Sequence, residues 1–202
     1  MKAKRENLFH LIEPLLAHVE HPSRYLDHEW GACEEQDGPF HLCLFYADVY
    51  EVGQPNLGLS ILYNTVNAQE GMSCERAYLP WTDLSALMRK RGVPLISLED
   101  SAPLASFDAV GFTLAHELVA TNILETLDLA GIALTSAERD EDDPVILAGG
   151  PSVWNCEPIS PVFDAVLLGD GEVSIVRVCS LIRDMRKEGA SRADILLGLS
   201  RL

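Results

Sequence analysis

Four apolar segments constrain this chain more than anything else in it: FHLCLFYADVYEVG (40–53), DAVGFTL (108–114), PVILAGGP (144–151) and FDAVLLGDGE (163–172). Each carries a continuous apolar run that ends in a small, sharply turning stretch. Unbroken apolar strands, as opposed to alternating ones, belong to parallel sheets with helices covering both faces. In such sheets ligands lie outside the carboxyl ends of the strands. The glycines and polar residues of this chain gather at those ends, which marks the place of a candidate site before its chemistry is known.

The spacing of apolar residues between these segments predicts the helices. A first helix covers 6–18, with Leu8, Leu11, Ile12, Leu15 and Leu16 on one side, and Pro22 stops it. The polar stretch 23–38 wraps the domain edge. After a strand at 40–46, Asn56 caps a helix to about residue 66 that turns Leu57, Leu59, Ile61 and Leu62 inward. A short strand at 76–79 leads to a helix capped by Thr82, carrying Leu84, Leu87 and Met88 inward and ending at Gly92. The stretch 94–98 reads as a minor extended piece, and the strand 109–113 follows it. Then comes a helix over 117–130, with Leu118, Ile123, Leu124 and Leu127 inward and Gly131 closing it. The charged loop 139–143 precedes strands at 145–148 and 165–168. Asp170 caps a long helix over 172–187, and Ser191, with Asp194 three residues on, caps a last one. That last helix is expected to expose an apolar face of Ile195, Leu196 and Leu199.

Five strands alternating with helices, joined by right-handed crossovers, favour an open, doubly wound α/β sheet in three layers. The expected strand order is the flavodoxin-like 2-1-3-4-5, with its crevice between the ends of the first and third strands.

Charge narrows the partners. The formal net charge is -16, and no Lys or Arg occurs between Arg24 and Arg76 or between Arg91 and Arg139. Such a surface repels phosphate backbones, so nucleic acid is not an expected partner. No apolar run approaches a membrane span. The basic start, Lys2 to Arg5, runs into a helix interrupted by Glu13 and Pro14, so the sequence predicts no secretory leader and a cytoplasmic chain. The five cysteines, Cys33, Cys43, Cys74, Cys156 and Cys179, are scattered, which argues against a disulfide framework or a metal cluster. Cys43 and Cys179, inside apolar runs, read as small core residues.

The strand exits carry the candidate chemistry. The first is Asp48-Val49-Tyr50-Glu51-Val52-Gly53, the third Thr113-Leu114 and the fourth Gly149-Gly150. In this order they resemble the Asp-x-His-x-x-Gly loop, the Ser-x-Leu and the Gly-Gly of the cobalamin-binding domains of methyltransferases and mutases. That resemblance implies cofactor-binding roles for Asp48, Tyr50, Gly53, Thr113, Leu114, Gly149 and Gly150. Tyr50 stands where that family has its cobalt-ligating His, and a phenol with a pKa near 10 is a poor ligand at neutral pH. The phrases DVYEVG, NLGLSILY, PWTDLSALMRKRGVPLISLE, GFTLAHEL, DLAGI, AGGPSVWNCEP and FDAVLLGDGE are similar to the amino-terminal, cobalamin-binding-like domain of a radical SAM protein family. The likeness implies an accessory domain, at 40–188, that docks on and shapes the active site of a radical SAM domain in the same protein. Residues 1–39 would be a wrapping arm and 189–202 the start of a linker helix. It further implies cobalamin as a questionable cofactor, degenerate or bound without a His. S-adenosylmethionine and an iron–sulfur cluster are expected only in the catalytic part, since no Cys-x-x-x-Cys-x-x-Cys occurs here.

The same residues admit other readings. Gly149-Gly150 fits either a close ligand approach or a tight strand exit, and Thr113 either a ligand donor or a satisfied strand residue. His116 is a possible but disfavoured substitute ligand. Trp154, Asn155 and Glu157 line either a pocket or a domain interface. Asp48 and Glu51 lack a nucleophile or metal beside them, which disfavours catalysis. Flavin mononucleotide is disfavoured because 49–57 has no Ser or Thr, and a phosphoacceptor receiver fails at the ends of strands three and five. No nucleophile elbow or Walker loop supports a free-standing hydrolase or transferase.

Overall fold

The computed structural model describes residues 5–26, 29, 31–33 and 38–202. Part of the wrapping stretch 23–38 therefore lies outside the described residues, as do residues 1–4. Five parallel strands, β1 (Phe40–Tyr46), β2 (Met72–Tyr78), β3 (Ala109–Thr113), β4 (Val145–Gly149) and β5 (Ala165–Val166), form one sheet of order β2-β1-β3-β4-β5. This is the doubly wound, flavodoxin-like arrangement in three layers.

The pleat decides which helix covers which face, because successive side chains of a strand point to opposite sides. Cys43 and Phe45 of β1, Val110 and Phe112 of β3, and Ile146 of β4 turn to one side. There they meet α1 (Phe9–Leu16), α4 (Thr82–Arg91) and α5 (Ala120–Ala130) through Ile12, Leu84, Met88, Ile123 and Leu127. Phe45 and Phe112 pack with ring centroids 5.2 Å apart at the centre of that layer. Leu42, Leu44, Ala109 and Leu147 turn to the other side. They meet α3 (Leu57–Asn67), α6 (Gly171–Lys187) and α7 (Arg192–Leu199) through Leu59, Tyr63, Ile175, Ile182 and Ile195. A single short turn, α2 (Tyr50–Gly53), follows β1.

Several local expectations are corrected. Asn56 does cap α3, its Oδ1 accepting from the Leu59 N–H at 2.9 Å, but Leu57 and Ile61 are exposed, and Tyr63 and Val66 join Leu59 on the buried face. Thr82 is the first residue of α4 and not its cap; Trp81 precedes it with no capping side chain. Leu118 lies in a 3-10 turn (Glu117–Val119) before α5, outside the helical period, and points to solvent; Leu124 is also exposed. β2 starts four residues earlier than expected, because its polar residues Ser73, Glu75 and Arg76 are buried beside specific partners. Asp170 precedes α6 without a side-chain capping bond. The apolar face of α7 is not free: Ile195 and Leu199 are buried against α6. Cys43 and Cys179 are fully buried, as read from the sequence. No helix among the described residues is long and apolar enough to cross a membrane.

Candidate functional site: a cleft and an apolar rim at the carboxyl edge

A cleft of about 540 Å³ opens at the carboxyl edge of the sheet between α3 and α6. Its sides are Leu44, Leu59, Leu147 and Ile175, and the back is Gly111 in the middle of β3. A side chain at position 111 would start 3.2 Å from Leu44 Cδ2, so glycine keeps that space open. Thr113, Gly149, Gly150, Asp170 and Glu172 stand nearer the mouth. The volume is in the range of small-molecule sites.

The predicted residues divide into two groups. Thr113, Gly149 and Gly150 line the cleft. Leu114 is buried behind them, donating its N–H to the Gly149 carbonyl (2.7 Å) and accepting from the Ser152 N–H (3.0 Å), which ties the exits of β3 and β4 together. Asp48, Tyr50 and Gly53 are not part of the cleft lining. Asp48 Oδ1 accepts from the Val49 N–H at 2.7 Å, and its carbonyl accepts from the Leu79 N–H at 3.0 Å, so it joins the exits of β1 and β2. Gly53 packs under Tyr78; a Cβ there would sit 2.6 Å from that ring.

Tyr50 belongs to a polar cluster that sequence reasoning missed. Its hydroxyl donates to Glu29, and its ring meets Tyr78 edge-on at 5.4 Å. Arg76 pairs with Glu29 (2.6 Å) and with Glu99 (2.7 Å) and lies over the Tyr63 ring at 4.6 Å. Burial first, then the Glu29 carboxylate, pushes the Tyr50 phenol up to about 12. Burial raises Tyr63 and Tyr78 as well. All three phenols hold their protons in the folded state at pH values where an unfolded chain loses them. Stability therefore falls as pH climbs above about 10. The expected result is a cooperative loss of circular dichroism above that pH, coincident with phenolate absorbance at 295 nm. Stepwise phenolate formation with an unchanged fold would contradict these environments.

The edge as a whole is apolar and acidic. Leu118 (82% exposed), Trp154 (76%), Leu57 (73%), Val173 (71%) and Leu168 (58%) come from the exits of β1, β3, β4 and β5 and the helices that follow. The exit segments 47–56, 114–119, 149–163 and 167–173 hold no Lys or Arg, but do hold Asp48, Glu51, Glu117, Glu157, Asp170 and Glu172. Arg24 reaches Glu51 at 2.6 Å from outside these segments. His116 is exposed and does not line the cleft; nor do Asn155 and Glu157, whereas Trp154 does. The sequence signal for this surface was the cation-free run from 140 to 176.

The described side chains fit neither a cobalt ligand nor a thiolate-bound cluster. Burial raises the thiols of Cys43 and Cys74 well above their ordinary value and Cys179 to about 12, the wrong direction for thiolate ligands. No group of three or more His, Cys, Asp or Glu among the described residues is placed to hold a metal ion. Tyr50, which the resemblance aligns with a cobalt-ligating His, keeps its phenolic proton and donates it to Glu29.

A doubly wound α/β domain with a ligand-sized cleft and an unpartnered apolar edge is the class these features define. Residues 58–202 match the model of the family described as radical SAM proteins, N-terminal, and the chain belongs to that family. The match spans β2 to β5 with the whole of α6 and α7, and includes all of the cleft lining except Leu44 and Asn56. A search of curated proteins returns no match.

Proposed function

We propose that this chain is an accessory domain whose carboxyl edge docks on a radical SAM domain of the same protein and shapes the mouth of its active site, without ligating cobalt. The observation that carries this reading is the cluster of large apolar residues at the strand exits. Large apolar residues left exposed together at one edge of a sheet mark an interaction site. Its acidic surround calls for a partner face with an apolar centre and a basic rim. The chemistry, with S-adenosylmethionine and an iron–sulfur cluster, belongs to that partner domain.

The test is calorimetric titration of the chain with the radical SAM domain of its own gene product. Leu118→Asp and Trp154→Asp are each expected to weaken the association about tenfold or more, because each places a charge in a desolvated contact. Leu134→Asp, at an exposed apolar residue after α5 on the opposite edge, is expected to leave it unchanged. Equal affinity for all variants would refute the docking face.

The open cleft favours a second reading, a module that holds a small ligand without metal ligation, cobalamin bound through its nucleotide tail included. Titration with hydroxocobalamin tests the cobalamin form of this reading. The docking reading expects no retention of colour on gel filtration. Retained colour with a spectrum insensitive to Tyr50→Phe supports the second reading.

A further inference from the structure

We propose that the cleft between α3 and α6 selects a small molecule with an apolar, planar-sized body and a cationic or neutral hydrogen-bond-donating head, and rejects anions. This inference rests on the second reading above, that the cleft holds a ligand, and adds the ligand's chemical class. It does not depend on the docking face.

The body is set by the walls. Leu44, Leu59, Leu147 and Ile175 offer carbon, and Gly111 keeps the space beside Leu44 free of a side chain. The head is set by the mouth. Among the described residues, the Thr113 hydroxyl and the side chains of Asp170 and Glu172 have no hydrogen-bond or ion-pair partner, the bond from Ser174 Oγ to Asp170 being to its backbone carbonyl, and no Lys, Arg or His lines the cleft.

One feature of the mouth opposes this reading. The first turns of α3 and α6 both face the cleft, since Asn56, Gly58, Gly171 and Glu172 line it. Helix amino ends attract anions, each with the equivalent of roughly half a positive charge. Two such ends supply about one positive charge, against the two acidic side chains of Asp170 and Glu172 at the exposed rim. Asn56 further spends its side chain on the Leu59 N–H. The balance is negative, and the exit segments 47–56, 114–119, 149–163 and 167–173 hold no Lys or Arg to reverse the sign. A phosphate or carboxylate therefore enters against the local field, and an ammonium enters with it. The flavodoxin-like position of the cleft does not imply a flavodoxin-like ligand, because the phosphate-binding end of such a ligand is what this mouth refuses.

The experiment uses three probes with one indole body and different heads: tryptamine, a cation; tryptophol, neutral; and indole-3-acetate, an anion. Each is titrated into the 15N-labelled chain, following the amides of Gly149, Gly150, Gly169 and Gly171. Tryptamine is expected to bind about tenfold or more tightly than indole-3-acetate, with tryptophol between them. The double variant Asp170→Asn/Glu172→Gln is expected to bring that ratio below about twofold while leaving tryptophol unchanged. Indole-3-acetate binding as tightly as tryptamine would overturn the charge selection and leave the cleft a ligand site. No response to any probe at about 5 mM would overturn both the inference and the ligand-holding reading, and leave the docking face standing.

Discussion

Asp164→Ala is expected to unfold the domain or bring it close to unfolding. Asp164 precedes β5 with its side chain completely buried between two arginines, Arg192 at 2.5 Å and Arg139 at 3.2 Å. Its Oδ2 also accepts from the Ile146 N–H (2.6 Å), and its Oδ1 from the Ser136 hydroxyl (2.5 Å). Removing the carboxylate strands two buried guanidinium groups, of which Arg139 has no exposed side-chain surface at all. Breaking a buried pair from one side costs about 3–5 kcal/mol, a large share of the roughly 5–15 kcal/mol that holds a domain together. For a chain of this size that corresponds to a fall in Tm of roughly 6–20 °C. Replacing all three residues with apolar ones is expected to recover only part of the loss. The arginines also bond the carbonyls of Ala133, Leu134, Val162, Asp143 and Pro144, which would lose their donors. Differential scanning calorimetry of the single and triple variants measures this. A Tm within a degree or two of the parent chain for Asp164→Ala would contradict it.

Gly150→Ala and Gly149→Ala should differ sharply although the residues are neighbours in one motif. Gly150 has φ +113°, and a Cβ there would lie 2.9 Å from the Leu114 carbonyl oxygen and 3.2 Å from its nitrogen. Neither atom is free to give way, since both are bonded across the exits of β3 and β4. Backbone strain plus a clash with main chain is expected to cost about 2–4 kcal/mol. A Cβ on Gly149 meets nothing within 4 Å, so Ala there should change stability by no more than about 0.5 kcal/mol. Urea titration of the two variants checks the contrast, and equal midpoints would refute it. One glycine of the pair is required by the strand exit, and the other leaves the cleft mouth open.

The sheet was legible because β1, β3 and β4 are buried on both faces and so read as unbroken apolar runs. β2 was half hidden, since Glu75 and Arg76 are buried only because Asp100, Glu99 and the arm residues Arg5 and Glu29 meet them from distant parts of the chain. No local pattern announces that. Leu57 and Leu118 were misplaced for a different reason. Helical periodicity counts apolar residues as inward, whereas the first turns at the carboxyl edge overhang the sheet and carry their leucines out to the rim. The candidate residues all lie at the predicted edge, but the first-strand loop and the two later landmarks do not converge. Tyr50 turns toward Tyr78 and Glu29, held by a contact of long sequence range that the spacing of Asp48, Tyr50 and Gly53 does not encode. The cleft itself depends on Gly111, which the sequence places inside a strand, where its missing side chain looks incidental.

The carboxyl edge as docking face is tested most directly by hydrogen–deuterium exchange of the chain alone and with the radical SAM domain proposed as its partner. Slowed exchange is expected in 47–56, 114–119, 149–163 and 167–173 on addition of that domain, with the α1 and α4 surface unchanged. Unchanged exchange at those four segments, with protection appearing on the α1 and α4 side or nowhere, would contradict it.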